Sequence, residues 1–262
     1  MLKKILSLLF AVCLCATTFA QQAQQTQQQE KPEQEETVDV TIKIYRWAFS
    51  NKMVIPSLTG GGGGGTESVR ADQSNVDLWY KDAGNYKRLK ITSGTMSPPI
   101  HYKGPRTMIL YERIQNVSVD GEAPEEQFTY KEATRMTIPL GLDEMFALMF
   151  KTGKKIRFYP MNVSPTQLPK EKIAVLNMTS THAAVLVGGE TKVLRSGSNA
   201  IFKPKSKKET SVELKVARMV NKKWRPVYDT NISTPKGQRC VILLFDPYNR
   251  RTPKFSVQLL TL

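Results

Sequence analysis

The chain has 262 residues, 38 of them basic and 23 acidic, for a formal net charge of +15. Hydrophobic residues make up 40% and charged residues 23%, which excludes a wholly disordered or collagen-like chain and leaves room for one large core or two of roughly 100 residues each. Three cysteines in this length exclude a disulfide-stapled scaffold.

The first element in chain order is a secretory signal over residues 1–20. Lys3 and Lys4 precede the apolar run from Ile5 to Ala16, and Thr18, Phe19 and Ala20 place small residues at the two positions a signal peptidase reads. The run is too short for a stable bilayer anchor and ends in a glutamine tract, so no integral membrane segment is expected in the mature chain. Val12 precedes Cys13 and Leu14 precedes Cys15, so neither cysteine has the small preceding residue that lipoprotein processing needs. Cleavage after Ala20 leaves Cys240 as the one thiol, and the fold then rests on burial without an internal disulfide.

Residues 21–36 are almost wholly Gln, Glu, Ala, Thr, Lys and Pro, the composition of a disordered tether. A strand follows, with Val38, Val40, Ile42 and Ile44 on one face and polar residues on the other. The six-glycine run 60–65 lacks the Lys-Ser/Thr ending of a phosphate-binding loop and reads as a flexible loop.

From there the chain repeats short apolar or alternating runs bounded by Gly, Pro, Asn and Asp, with no long helical stripe. Strands are predicted over 76–80, 86–92, 107–112, 134–138, 145–151 and 155–161, then 172–177, 183–187, 191–194, 199–203, 210–219, 224–229, 239–246 and 254–260. One stretch, Leu142 to Phe150, also reads as a short helix because Asp143 and Glu144 precede its apolar run. Strands at this spacing predict an all-β protein of tandem antiparallel β-sandwich (Ig-like) domains.

The two halves echo each other. Pro139 and Gly141 lead into the apolar run ending at Phe150, then a basic turn at Lys154 and Lys155 and the alternating Ile156, Arg157, Phe158; Pro235 and Gly237 lead into Val241 to Phe245, then Arg250, Arg251 and Phe255, Ser256, Val257. The predicted division is a first domain over 37–160, a proline-containing linker over 161–171 and a second domain over 172–262. Most of the positive charge falls after Lys170.

The layout of Val76 to Tyr80, Tyr86 to Ile91, the segment from Ser97 through Pro98, Pro99, His101 and Tyr102 to Pro105, Ile173 to Asn177, and Gly188 with Gly189 resembles a group of uncharacterised exported bacterial proteins with paired β-sandwiches. The resemblance covers most of the mature chain in layout. It implies the fold, and no catalytic or binding residue comes with it.

Motifs for catalysis are scarce. His101 and His182 have no Cys, His or carboxylate beside them at metal-ligand spacing, and each reads as a turn or surface residue. Cys240 sits in an apolar strand and reads as a buried structural thiol. Ser233 with Lys236, and Lys151 with Thr152 and Gly153, match two short motifs of penicillin-binding enzymes, but Pro235 breaks the helix that the first requires and the order is reversed. No catalytic residue, metal site or cofactor is predicted.

The candidate contact surface is Lys222, Lys223, Trp224, Arg225 and Tyr228, where cations suit phosphate, sulfate or carboxylate and the rings suit a sugar or base. The bland alternative is a hairpin whose tryptophan faces inward. Residues 203–208 form a second basic stretch, read as a solvated loop. Asn116, Asn162, Asn177 and Asn231 each begin an Asn-x-Ser/Thr sequon, an acceptor only where exported proteins are glycosylated.

These features together predict an exported, non-catalytic structural or binding protein of the cell envelope, periplasmic or at the surface, whose partner is an anionic envelope component or another protein; export argues against nucleic acid. One alternative is an assembly factor that pairs an exposed edge, Gln238 to Phe245, with a client strand. Another is a glycan-active enzyme with a site assembled from distant strands.

Overall fold

A computed structural model describes residues 36–47, 76–116, 127–204, 211–247 and 254–262, together with the backbone of 52–56 and 66–70. The signal region, the tether up to residue 35, the glycine run 60–65 and residues 205–208 lie outside the described residues.

The strands of the first half are β1 (Thr37–Arg46), β2 (Lys52–Pro56), β3 (Thr66–Arg70), β4 (Trp79–Asp82), β5 (Asn85–Arg88), β6 (Ile100–Pro105), β7 (Thr107–Gln115), β8 (Phe128–Thr137), β9 (Glu144–Thr152) and β10 (Lys155–Asn162). Those of the second half are β11 (Ile173–Asn177), β12 (Ala183–Val187), β13 (Glu190–Leu194), β14 (Asn199–Phe202), β15 (Ser211–Val220), β16 (Lys223–Ser233), β17 (Cys240–Phe245) and β18 (Ser256–Thr261). No helix occurs among the described residues. The protein is all-β, built of tandem β-sandwiches.

The first half pairs a sheet of order β10-β9-β1-β6 with one of order β5-β4-β7-β8; the second pairs β14-β11-β17-β18 with β13-β12-β15-β16. With β2 and β3 set aside as an added hairpin, the two halves have the same topology. β1, β4 and β9 of the first correspond to β11, β12 and β17 of the second, and so on along the chain. The predicted echo thus falls on β9-β10 and β17-β18, which occupy matching places. The pairing is antiparallel except at two points, again equivalent: β1 runs parallel to β9, and β11 parallel to β17.

The alternation of side chains explains how four sheets stack. In β9, Met145, Ala147 and Met149 enter the core of the first sandwich, while Phe146, Leu148 and Phe150 point the other way into a second core. In β17, Cys240, Ile242 and Leu244 enter the core of the second sandwich, and Val241, Leu243 and Phe245 meet the residues from β9. β9, β11 and β17 are therefore covered on both faces, which requires apolar residues at nearly every position rather than at every second one. The stretch Leu142 to Phe150 read as a helix for this reason: a strand buried on both faces has no period of two.

Val163 and Leu168 of the segment between the halves are buried in this shared core, and the Leu168 N–H donates to Ser164 O at 2.8 Å. The Arg239 guanidinium donates to Val163 O and to Glu144 Oε2, tying the start of β17 to the start of β9. The connection is pinned at both ends.

Candidate functional site

Burial consumes β9, β11 and β17, so contact chemistry falls to the outer sheets, their hairpins and the exposed edges of the inner sheets. The hairpin β15-β16 turns at Asn221 and Lys222, whose φ angles of 49° and 60° put both in the left-handed region. Val220 pairs with Lys223 across it, the geometry of a two-residue hairpin turn. Lys222, Lys223 and Arg225 are exposed, and none makes an ion pair or hydrogen bond among the described residues. Trp224 is 41% exposed and faces outward beside Met219 and Pro226, contrary to the inward-facing alternative.

The structure divides the five predicted residues. Val216 pairs with Tyr228 but Ala217 pairs with Pro226, leaving Val227 as the extra residue of a bulge. That one-residue insertion reverses the facing of the residues beyond it: Tyr228 turns inward and packs against the core of the second sandwich, so it does not share a surface with Trp224. Lys222, Lys223, Trp224 and Arg225 remain at the tip, with Lys223 and Arg225 on the face opposite Trp224 by strand alternation.

A cleft of about 290 Å³ lies between β5 and the start of β6, lined by Tyr80, Lys87, Arg88, Lys90, Pro98 and His101 among others. Two of its cations are already engaged, Lys87 with Asp82 at 2.5 Å and Arg88 with Asp77 at 2.6 Å. His101, expected as a turn or surface residue, sits on the solvent face of β6, its Nδ1 3.0 Å from Thr41 Oγ1. His182 is exposed just before β12. Cys240 is buried, and burial pushes its thiol pKa up. Among the described residues no three His, Cys, Asp or Glu side chains cluster as metal ligands.

The largest gathering of chemistry escaped sequence reasoning. The outer face of sheet β5-β4-β7-β8 carries Trp79, Tyr86, Tyr111, Phe128 and Tyr130. Tyr86 stacks on Tyr130 with centroids 3.8 Å apart and planes at 4°; Tyr86 meets Tyr111 edge-on at 5.2 Å, and Trp79 meets Tyr130 edge-on at 5.5 Å. The Arg113 guanidinium lies 4.7 Å from the Trp79 ring and 4.3 Å from the Phe128 ring, and Lys81 Nζ lies 5.8 Å from Tyr86. These residues come from four strands spread over some fifty positions, so no local window signals them. Even so, the sequence holds a partial clue: Tyr130 pairs with Arg113 just as Trp224 pairs with Met219, and the two aromatic residues occupy equivalent places in the two halves.

The short motif matches disperse. Ser233 ends β16 and Lys236 lies in the following turn, while Lys151 and Thr152 end β9. No protein-family model matches the chain, and no curated protein is found similar to it.

Proposed function

We propose that the chain is an exported, non-catalytic binding protein of the cell envelope that contacts anionic polymers through the β15-β16 hairpin tip. The observation that supports this reading most is the set of three exposed cations at one hairpin turn, Lys222, Lys223 and Arg225, whose side chains have no carboxylate partner among the described residues. Two other cations of the second half are paired, Lys215 with Glu213 at 2.8 Å and Lys192 with Glu190 at 2.9 Å. Unpaired cations on a protruding turn keep their attraction for phosphate, sulfate or carboxylate groups. The predicted signal supplies the address, and an envelope offers such polymers.

Strand pairing with a client finds less support. The strand Gln238 to Phe245 is not an edge, because β17 is hydrogen-bonded to β11 on one side and β18 on the other. The long edge strand β16 carries Lys223, Arg225, Pro226 and a bulge, features that resist strand addition.

The test is retention of the purified protein on an immobilised sulfated polysaccharide under a salt gradient, beside the triple variant Lys222→Glu, Lys223→Glu, Arg225→Glu. The wild type should be retained at low salt and the variant should elute early. Equal elution of the two overturns the assignment of the tip. Cell fractionation, with mass determination of the N-terminus, tests export: a cytoplasmic chain beginning at Met1 removes the envelope reading.

A further inference from the structure

The aromatic face of the first sandwich carries chemistry independent of the hairpin tip. β5 and β8 are the two edges of their sheet, with β4 and β7 between them. Strands stand about 4.8 Å apart, so Tyr86 and Tyr130 start roughly 14 Å apart and reach toward each other over the central strands to stack at 3.8 Å. They form an arch. Beneath it lie Trp79 and Tyr111, from the two central strands.

Two observations suggest that this arch does more than pack on itself. The Trp79 indole N–H is shielded from solvent and has no hydrogen-bond partner among the described residues, and a donor so placed is destabilising. The cations at the arch, Lys81 and Arg113, lie against rings and form no ion pair among the described residues. On the same face Arg135 has Glu132 at 2.7 Å and Arg88 has Asp77 at 2.6 Å. The arch thus holds an unanswered donor and two cations without anions, all beside a pair of parallel rings.

We propose that the Tyr86–Tyr130 arch is the closed form of a binding site for an acidic sugar, a pyranose bearing a carboxylate, within a glycan chain. Separating the two phenol rings admits one saturated ring, whose C–H faces pack on aromatic surfaces. The ring oxygens accept from the Trp79 indole N–H and from the tyrosine hydroxyls, and the carboxylate meets Arg113, with Lys81 on the other side of the Trp79–Tyr111 pair placed for the next acidic unit of the chain. A neutral sugar leaves the cations unanswered. An acidic peptide answers the cations without filling the slot between two parallel rings.

The test uses oligogalacturonate as the probe, with a neutral malto-oligosaccharide, polyglutamate and a single-stranded oligonucleotide as comparisons. The protein carries the hairpin-tip charge reversals, so failure of the polymer-binding reading and failure of this one are separable. Indole N–H resonances of the three tryptophans, assigned by single Trp→Phe variants, report the site. Oligogalacturonate should move the Trp79 resonance downfield and leave those of Trp47 and Trp224 in place. Trp79→Phe, which keeps a ring but loses the donor, should weaken binding about tenfold, and Arg113→Gln should weaken it further for the acidic than for the neutral sugar. An unmoved Trp79 resonance at millimolar probe overturns the proposal. Equal binding of polyglutamate, of the oligonucleotide or of the neutral sugar overturns it too.

Discussion

Trp47, immediately after β1, stacks on Phe245, the last residue of β17, with ring centroids 3.4 Å apart and planes at 28°. Each is essentially buried, at 2% and 0% exposure. One ring belongs to the first half of the chain and the other to the second, so the contact lies in the core that joins the two sandwiches.

Phe245→Ala should destabilise the protein by about 3–5 kcal/mol, the range for removing a buried aromatic and leaving a cavity. Because the core is shared, urea denaturation should remain a single transition with a lower midpoint. Hydrogen exchange should quicken in β4 and β7 as well as in β12 and β15; quickening confined to the second half would show that the sandwiches unfold separately.

Asn177 is fully buried and spends its whole side chain on the backbone around it. Nδ2 donates to Thr181 O at 2.9 Å, Arg195 O at 3.1 Å and Leu194 O at 3.2 Å, and Oδ1 accepts from Thr179 N–H and Thr179 Oγ1. Asn177→Ala strands several of these groups and should cost about 3 kcal/mol or more, read as a fall in the denaturation midpoint. The same burial removes Asn177 as a glycan acceptor in the folded protein. Peptide mapping after expression in a glycosylating host should find it unmodified.

Lys222 holds a positive φ that glycine adopts without steric cost. Lys222→Gly should raise stability by about 1 kcal/mol and at the same time lower the salt concentration at which the protein leaves a sulfated polysaccharide. A gain in stability with unchanged retention would show that the lysine contributes nothing to the surface.

Glu190 accepts from the Lys203 backbone N–H at 2.7 Å and pairs with Lys192. The backbone donor first, and Lys192 second, hold its carboxyl below the ordinary glutamate value. A folded value depressed below the unfolded one contributes stability that is fully present above the unfolded value and is lost as pH falls through the folded one. Thermal midpoints of wild type and Glu190→Gln should therefore converge as the pH drops into and below the carboxylate range. Parallel curves would count against this role for the carboxylate.

Cys240 lies under the second core, where burial keeps its thiol protonated at neutral pH. A thiol reagent should leave it unmodified in the native protein and label it on unfolding. In denaturant the count of labels also reports processing: one for a chain that has lost residues 1–20, three for one that retains Cys13 and Cys15.

Strand positions were largely legible because turn residues bound short runs. Val187 and Glu190 pair across Gly188 and Gly189 where a hairpin is expected, and β12 spans the predicted residues. The strand β6 was hidden by Pro98, Pro99 and Pro105 around it, although Ile100 and Tyr102 point inward and His101 and Lys103 outward with period two. At the hairpin tip, chemistry was legible but geometry was not: spacing alone puts Trp224 and Tyr228 on one face, and the bulge at Val227 parts them.

The sequence by itself determined that the chain makes strands, where many of them lie, and that one segment near the end of each half shares an order of parts, because turns and alternation are properties of neighbouring residues. Only the tertiary structure decided that the inner strands are buried on both faces and that Tyr86 and Tyr130 close over Trp79. Those relationships join residues far apart in the chain, through pairing registers and bulges that no local pattern encodes.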